Sequence, residues 1–168
     1  MESEKKIKVG GIMLNNGLAT VRILSVPGKS DILGIVLYTL GKESINIEFV
    51  VHNVDIEGHG NLTFCINQKS LGLTLEVLGK IKPFVEAKEV SCQRDVAVIS
   101  VFGPHFREKP MISGLMFNAL GIARIDVLAV STSISSCCCL IHSQQIEEAM
   151  KALHKTFEAP HQITNFAP

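Results

Sequence analysis

Asp31-Ile32-Leu33-Gly34-Ile35-Val36-Leu37-Tyr38-Thr39-Leu40-Gly41 is answered eighty positions later by Met111-Ile112-Ser113-Gly114-Leu115-Met116-Phe117-Asn118-Ala119-Leu120-Gly121. Ile32, Gly34, Leu40 and Gly41 recur unchanged as Ile112, Gly114, Leu120 and Gly121, and Ile35 becomes Leu115. The offset continues downstream, pairing Ile45 with Ile125, Asn46 with Asp126, Ile47 with Val127 and Val50 with Val130. A spacing that holds through two consecutive elements marks an internal repeat, one structural unit present twice.

Outward from the first copy, Ala19 to Val26 alternates in strand fashion and Pro27-Gly28 breaks it. Ser30 or Asp31 can cap a helix from Ile32 to Lys42, with Ile32, Ile35, Val36 and Leu40 on one face. Gly34 is expected on or beside that face, where a missing side chain lets the helix approach a sheet. Ser44 to His52 reads as a second strand and Asn61 to Asn67 as a third. Ser70 to Ile81 follows as a helix with Leu71, Leu75 and Leu78 inward. Pro83 is expected to end it, and Phe84 to Val90 to form a fourth strand. The order β-α-β-β-α-β is the split βαβ arrangement, an antiparallel sheet with both helices on one face.

The second copy repeats the order: strand Val96 to Val101, helix Met111 to Leu120, strand Arg124 to Val130, strand Ser133 to Ile141 and helix Ser143 to Phe157. Its fourth strand is open between Gln162 to Phe166 and the N-terminal Lys6 to Met13. The predicted class is therefore α+β, two ferredoxin-like units. The first spans residues 17–92 and the second 93–168, completed by the N-terminal strand 6–13. With that strand in place, the first unit is nested inside the second.

Composition narrows the function. Hydrophobic residues make up 46% and charged residues 19%, enough for a core and too few charges for a disordered chain. Sixteen basic residues balance sixteen acidic ones, so no basic excess points to nucleic acid. The charged start Met1-Glu2-Ser3-Glu4-Lys5-Lys6 is not a signal peptide, and the uncharged stretch Val127 to Ile141 is short for a membrane span and holds several Ser and Thr. With five Cys, an odd number, reduced thiols and a cytoplasmic setting are expected.

Residues that could carry chemistry are sparse. No pair among the six His has the spacing of a helical zinc site, and none neighbours a Cys pair at finger spacing. Cys137 and Cys139 share one face of a strand and Cys138 the other, a pattern read as small apolar strand residues. No phosphate loop or nucleophile elbow is present. No metal, cofactor or catalytic residue is predicted. The loops before the two repeated helices, Pro27 to Asp31 and Gly103 to Pro110, end at helix N-termini, where free N–H groups favour a carboxylate but ordinary capping serves equally.

A set of short motifs points further. Gly11-Ile12-Met13 through Leu18-Ala19-Thr20-Val21, Ser44-Ile45-Asn46-Ile47-Glu48 followed by His52-Asn53, Ser131-Thr132-Ser133, and Ala152-Leu153-His154-Lys155-Thr156-Phe157 occur in the order and spacing of one family. Over nearly its whole length the chain resembles the tandem ACT-domain regulatory region of aspartate kinases. The resemblance implies a non-catalytic regulatory protein that binds a small amino acid of the lysine or threonine type, pairs side by side as a homodimer, and reports to an aspartate kinase catalytic chain. No kinase domain precedes residue 1, which suggests a separate regulatory subunit or a free-standing sensor.

Carried over by position, the first effector site uses Lys29, Ser30, Asp31, Ile32, Asn46, His52 and Asn53. Asp31, His52 and Asn53 hold the ammonium and polar tail, and the backbone at Ile32 the carboxylate. The second copy contributes Met111, Ile112, Asp126, Ser131 and Ser133. The family's D-x-P-G loop reads Gly28-Lys29-Ser30-Asp31, and its Gln before Asn53 is His52. These departures motivate an alternative: an interaction module that pairs with a partner enzyme through its ACT sheets and has lost effector binding.

Overall fold

The computed structural model describes residues 6–27, 32–104, 106–108 and 110–166. The chain divides into two compact units. One, the inserted unit, is the continuous stretch Gly17–Asp95; the other, the split unit, joins the residues up to Asn16 with Val96–Phe166. The elements are β1 (Ile7–Lys8), β2 (Gly11–Val26), α1 (Ile32–Lys42), β3 (Phe49–Val54), β4 (Gly60–Asn67), α2 (Leu71–Val85), β5 (Glu89–Phe102), α3 (Ile112–Ile122), β6 (Val127–Thr132), β7 (Ser136–His142), α4 (Ile146–Thr156), β8 (Phe157–Glu158) and β9 (His161–Phe166). The unit boundaries fall within β2 and β5.

In the inserted unit the strand order is β3-β4-β2-β5. β4 runs antiparallel to both β2 and β3, with Phe64 opposite Val21 and Val50. Ala19, Val21, Ile23, Leu62, Phe64 and Ile66 turn one face of this sheet onto Val36 and Leu40 of α1 and Val77 and Leu78 of α2. Each fully buried side chain of this size contributes roughly 1.5–3 kcal/mol.

The split unit has the matching order β2-β5-β7-β6, with the N-terminal residues of β2 in the fourth place. β7 is antiparallel to β5 and β6. Its core sets Ile12, Ile99, Cys139 and Ile141 against Met116, Leu120 and Leu153, closed by Phe157, which is 1% exposed. Two pairings are parallel and were not foreseen: Gly11–Asn16 with His161–Phe166, and β1 with β8. Both terminal segments therefore enter this unit.

The repeat is visible in the backbone. At the end of α1, Ile45 N–H donates to Leu40 C=O at 3.0 Å and Ser44 N–H to Gly41 C=O at 3.0 Å. Eighty residues on, Ile125 donates to Leu120 at 2.9 Å and Arg124 to Gly121 at 3.0 Å. These are Schellman caps. Ser44 and Arg124 both take the left-handed conformation, with φ 58° and 56°. In each, the buried pair Leu40–Ile45 or Leu120–Ile125 seals the cap.

The structure corrects four expectations. The strands predicted from Ser44 and Arg124 begin later, at Phe49 and Val127, because Ser44, Ile45, Arg124 and Ile125 finish the helices. Pro83 does not end α2; the helix runs on to Val85, which is buried one heptad beyond Leu78, and ends in a left-handed Glu86 whose N–H reaches Lys82 C=O at 3.1 Å. Phe84 is thus a helical, exposed residue, and the strand begins at Glu89. Leu75 faces solvent, while Thr74 takes the core position, its hydroxyl donating to Ser70 C=O at 2.8 Å. Gly34 and its counterpart Gly114 are exposed, with open space where a Cβ would stand, so neither lets a helix approach its sheet.

Close approach is required elsewhere. A Cβ on Gly11 would lie 2.5 Å from the His161 carbonyl oxygen and 2.6 Å from Phe102 Cζ. A Cβ on Gly103 would lie 3.0 Å from both Gly10 N and Phe106 Cε1. These glycines let β9, Phe102 and Phe106 pack directly on the backbone.

Candidate effector site

In the split unit, Thr132 and Val101 both pair with Cys137, so β6 ends where β7 begins. α3 starts at this same end, after the loop leaving β5. Two clefts open around the side chains of Phe106 and Ile112. One, of about 220 Å³, is lined by Phe106, Pro110, Ile112, Ser113, Thr132, Ser133 and Ile134. The other, of about 260 Å³, is lined by Lys8, Val9, Gly10, Gly103, Pro104, Phe106 and Ile112. Both walls are mainly apolar.

The polar groups at the first cleft come from a helix end and a turn. Met111 caps α3 without a side-chain hydrogen bond, and no acidic residue lies in the first turn. The N–H groups of that turn and the helix dipole suit a carboxylate. Ser133 Oγ accepts the N–H groups of Ser135 at 3.2 Å and Ser136 at 3.0 Å and lies 2.9 Å from Ser136 Oγ. Its acceptor capacity is spent on the turn, which leaves at most its hydroxyl proton for a ligand.

The structure sorts the sequence-predicted residues into two ends of each unit. Ile112 begins α3 and is buried, Met111 beside it is exposed, and Ser131 and Ser133 lie at the same end as the cleft. Asp126 follows the opposite end of α3, about 16 Å along an eleven-residue helix. It is held there by Gln145, which accepts its N–H at 3.2 Å and donates to its carboxylate at 3.3 Å. In the inserted unit Val54 and Val26 both pair with Gly60, so His52 and Asn53, both exposed, lie at the end where α1 begins with buried Ile32. Asn46 follows the other end of α1, where its amide donates to Glu48 at 2.7 Å. Lys29, Ser30 and Asp31 lie outside the described residues. Phe106, Ser113, Thr132 and Ile134 were not among the predicted site residues; only the fold brings Phe106 and Ser113 beside Ser133.

Cys65, Cys137 and Cys139 are packing residues. Cys137 and Cys139 are buried in the core, and burial pushes the Cys139 thiol up to about 12. Burial does the same to Cys65. Cys138, on the other face, accepts a hydrogen bond from Ser100 Oγ at 3.0 Å. Among the described residues no three His, Cys, Asp or Glu side chains converge for a metal ion, and no helix is long and apolar enough to cross a membrane.

Residues 99–157, the body of the split unit, match the family model of the ACT domain. Over 92% of its length the chain is 25% identical to an aspartokinase of Bacillus sp. (strain MGA3), and over 94% it is 26% identical to the aspartokinase of Pseudomonas aeruginosa. It spans 38% of the length of either relative. The ligand-free regulatory subunit of aspartate kinase from Thermus thermophilus shares the fold with a TM-score of 0.81 at 21% identity, over 89% of this chain and 99% of that one. The resemblance to aspartate kinase regulatory regions read from the motifs agrees with these relatives, and the α+β ferredoxin-like class agrees with the shared fold.

Proposed function

We propose that this chain is a regulatory ACT protein without catalysis of its own. It binds a small amino acid at the start of α3 and signals occupancy to an aspartate kinase catalytic chain. The observation that carries this is the placement of the ACT match: it includes Ile112 and Ser113 at the start of α3 and Thr132 and Ser133 at the end of β6, which together line one cleft. In this reading the N–H groups at Met111 and Ile112 take the carboxylate, with the Ser133 hydroxyl as a further donor to it, and Ser131 sits next to them in β6. Ile32, His52 and Asn53, with the loop residues Lys29 to Asp31, would serve the corresponding place in the inserted unit. E. coli aspartokinase III in complex with lysine and aspartate has a TM-score of 0.69 to this chain at 13% identity, which makes lysine the first effector to try, with threonine second. A homodimer joined along its ACT sheets and a cytoplasmic setting belong to the same reading.

Thermal unfolding against each of the twenty amino acids tests it. A ligand at a hundredfold excess over its dissociation constant stabilises the native state by about 2.7 kcal/mol. No shift with any amino acid would remove effector binding. The small volume of both clefts then favours the second reading, a module that holds a catalytic chain regardless of effector. That reading expects the catalytic chain to co-purify with unchanged yield whether or not amino acids are present.

A further inference from the structure

From Ile112 to Ile122, α3 has no charged side chain. A helix with no charged face belongs under cover. Yet Ile122 is 77% exposed. Beside it, between α3 and α4, two adjoining clefts of about 450 and 410 Å³ share Ala119, Ile122, Lys155 and Thr156. Their floor is Leu115, Ala123 and Ala152, small or apolar residues that allow another helix to come close.

α4 supplies Glu148, Lys151 and Lys155 to this groove, and Lys6 adds a further cation at its edge. Its first turn carries Glu147 and Glu148, and its last turn His154 and Lys155. Lys151, between them, is held by Glu147 at 2.7 Å and Glu148 at 3.1 Å. A helix with one acidic and one basic end is complementary to itself when laid antiparallel on a copy. A two-fold axis makes each such match twice. Sixteen basic and sixteen acidic residues leave two copies with no net repulsion.

We propose that the α3–α4 groove docks a second copy of this chain, with the two α4 helices antiparallel across a two-fold axis and Ile122 as the apolar anchor. Glu147 and Glu148 of each copy face Lys155 of the other. This contact is separate from pairing along sheet edges and does not depend on effector binding.

Light scattering after size exclusion tests it on the full chain, with circular dichroism to confirm that each variant is folded. Lys155→Glu and the double variant Glu147→Lys/Glu148→Lys should each halve the assembly mass, because like charges now face each other. Each should raise the dissociation constant at least about tenfold. Mixed in equal amounts, the two variants should reassociate, since their charges are complementary only across the two-fold. Ile122→Asp should also halve the mass. A monomeric wild-type chain, variants that keep the wild-type mass, or a mixture that stays dissociated would each overturn the proposal. So would loss of association on Val130→Lys, at the exposed edge strand β6, with Lys155→Glu having no effect.

Discussion

The inserted and split units share strand order, helix caps and a common offset, yet they are finished differently. The inserted unit is made from one continuous stretch, and its glycines at 34, 41, 72 and 79 face open space. The split unit takes its fourth strand from the opposite end of the chain and adds parallel β9 beside it. Gly10, Gly11 and Gly103 make that closure sterically feasible. Even the hairpin turns reach one end by different chemistry. Asp55 accepts the N–H groups of Glu57 and His59 at 2.9 Å each, which holds its carboxyl below its usual range, the His59 bond contributing most. Ser133 does the same work with a neutral hydroxyl. A repeated fold thus conserves the geometry that ends a helix or turns a strand more strictly than the residues that complete a sheet.

The largest effects should come from the two aromatic residues at the centres of the cores. Phe64→Ala in the inserted unit and Phe157→Ala in the split unit should each cost about 3–5 kcal/mol in denaturant unfolding. Hydrogen exchange should rise first within Gly17–Asp95 for the former and within Val96–Phe166 for the latter. A uniform rise in both would break the division into two cores.

Gly11→Ala should come next, at about 1–3 kcal/mol, because the new methyl group meets the His161 carbonyl and Phe102. Proteolysis near His161 would report release of β9. If Gly11→Ala proved neutral, the close approach that distinguishes the split unit would be wrong.

Alkaline pH offers a graded comparison, with Cys65 buried in the inserted unit and Cys137 and Cys139 in the split unit. Cys65 and Cys139 stay protonated in the native state up to about 12, whereas the unfolded thiol titrates near its ordinary 9.0. Between those values the unfolded chain binds fewer protons than the folded one, so stability falls as pH rises. The slope is about 1.4 kcal/mol per pH unit per thiol at most. Below pH 9.0 this contribution is fully present. Urea midpoints followed from pH 8 to 11 should show a shallower slope for Cys65→Ala and for Cys139→Ala, by similar amounts. Exposed Cys92 should react with a thiol reagent in the native protein while these two do not.

The smallest effect sharpens the repeat. Gly34→Ala and Gly114→Ala each fill open space on a helix and should stabilise the protein by up to about 1 kcal/mol. Equal gains in melting temperature would show that the two helices share one environment. A loss at either position would mean that the glycine serves a contact outside the chain.

The amino-acid sequence by itself determined the repeat, the order of elements and the resemblance to tandem ACT regions. Each of these is a local pattern, in which apolar spacing and turn residues act within a few positions of one another. It left the strand starts after α1 and α3 misplaced, because a left-handed Ser44 or Arg124 has no sequence signature when it is not glycine. It placed Asn46 and Asp126 among the site residues, although an eleven-residue helix separates them from Ile32 and Ile112. It misread Gly34, since the direction a helical residue faces depends on what the helix packs against. Only the tertiary structure decided that Gly11–Asn16 and His161–Phe166 both enter the split unit, that Gly10, Gly11 and Gly103 are demanded by that closure, and that Phe106 and Ser113 join Ser133 at one cleft. Those are pairings between residues far apart in the chain, and their energies come from burial and close contact that no local spacing encodes.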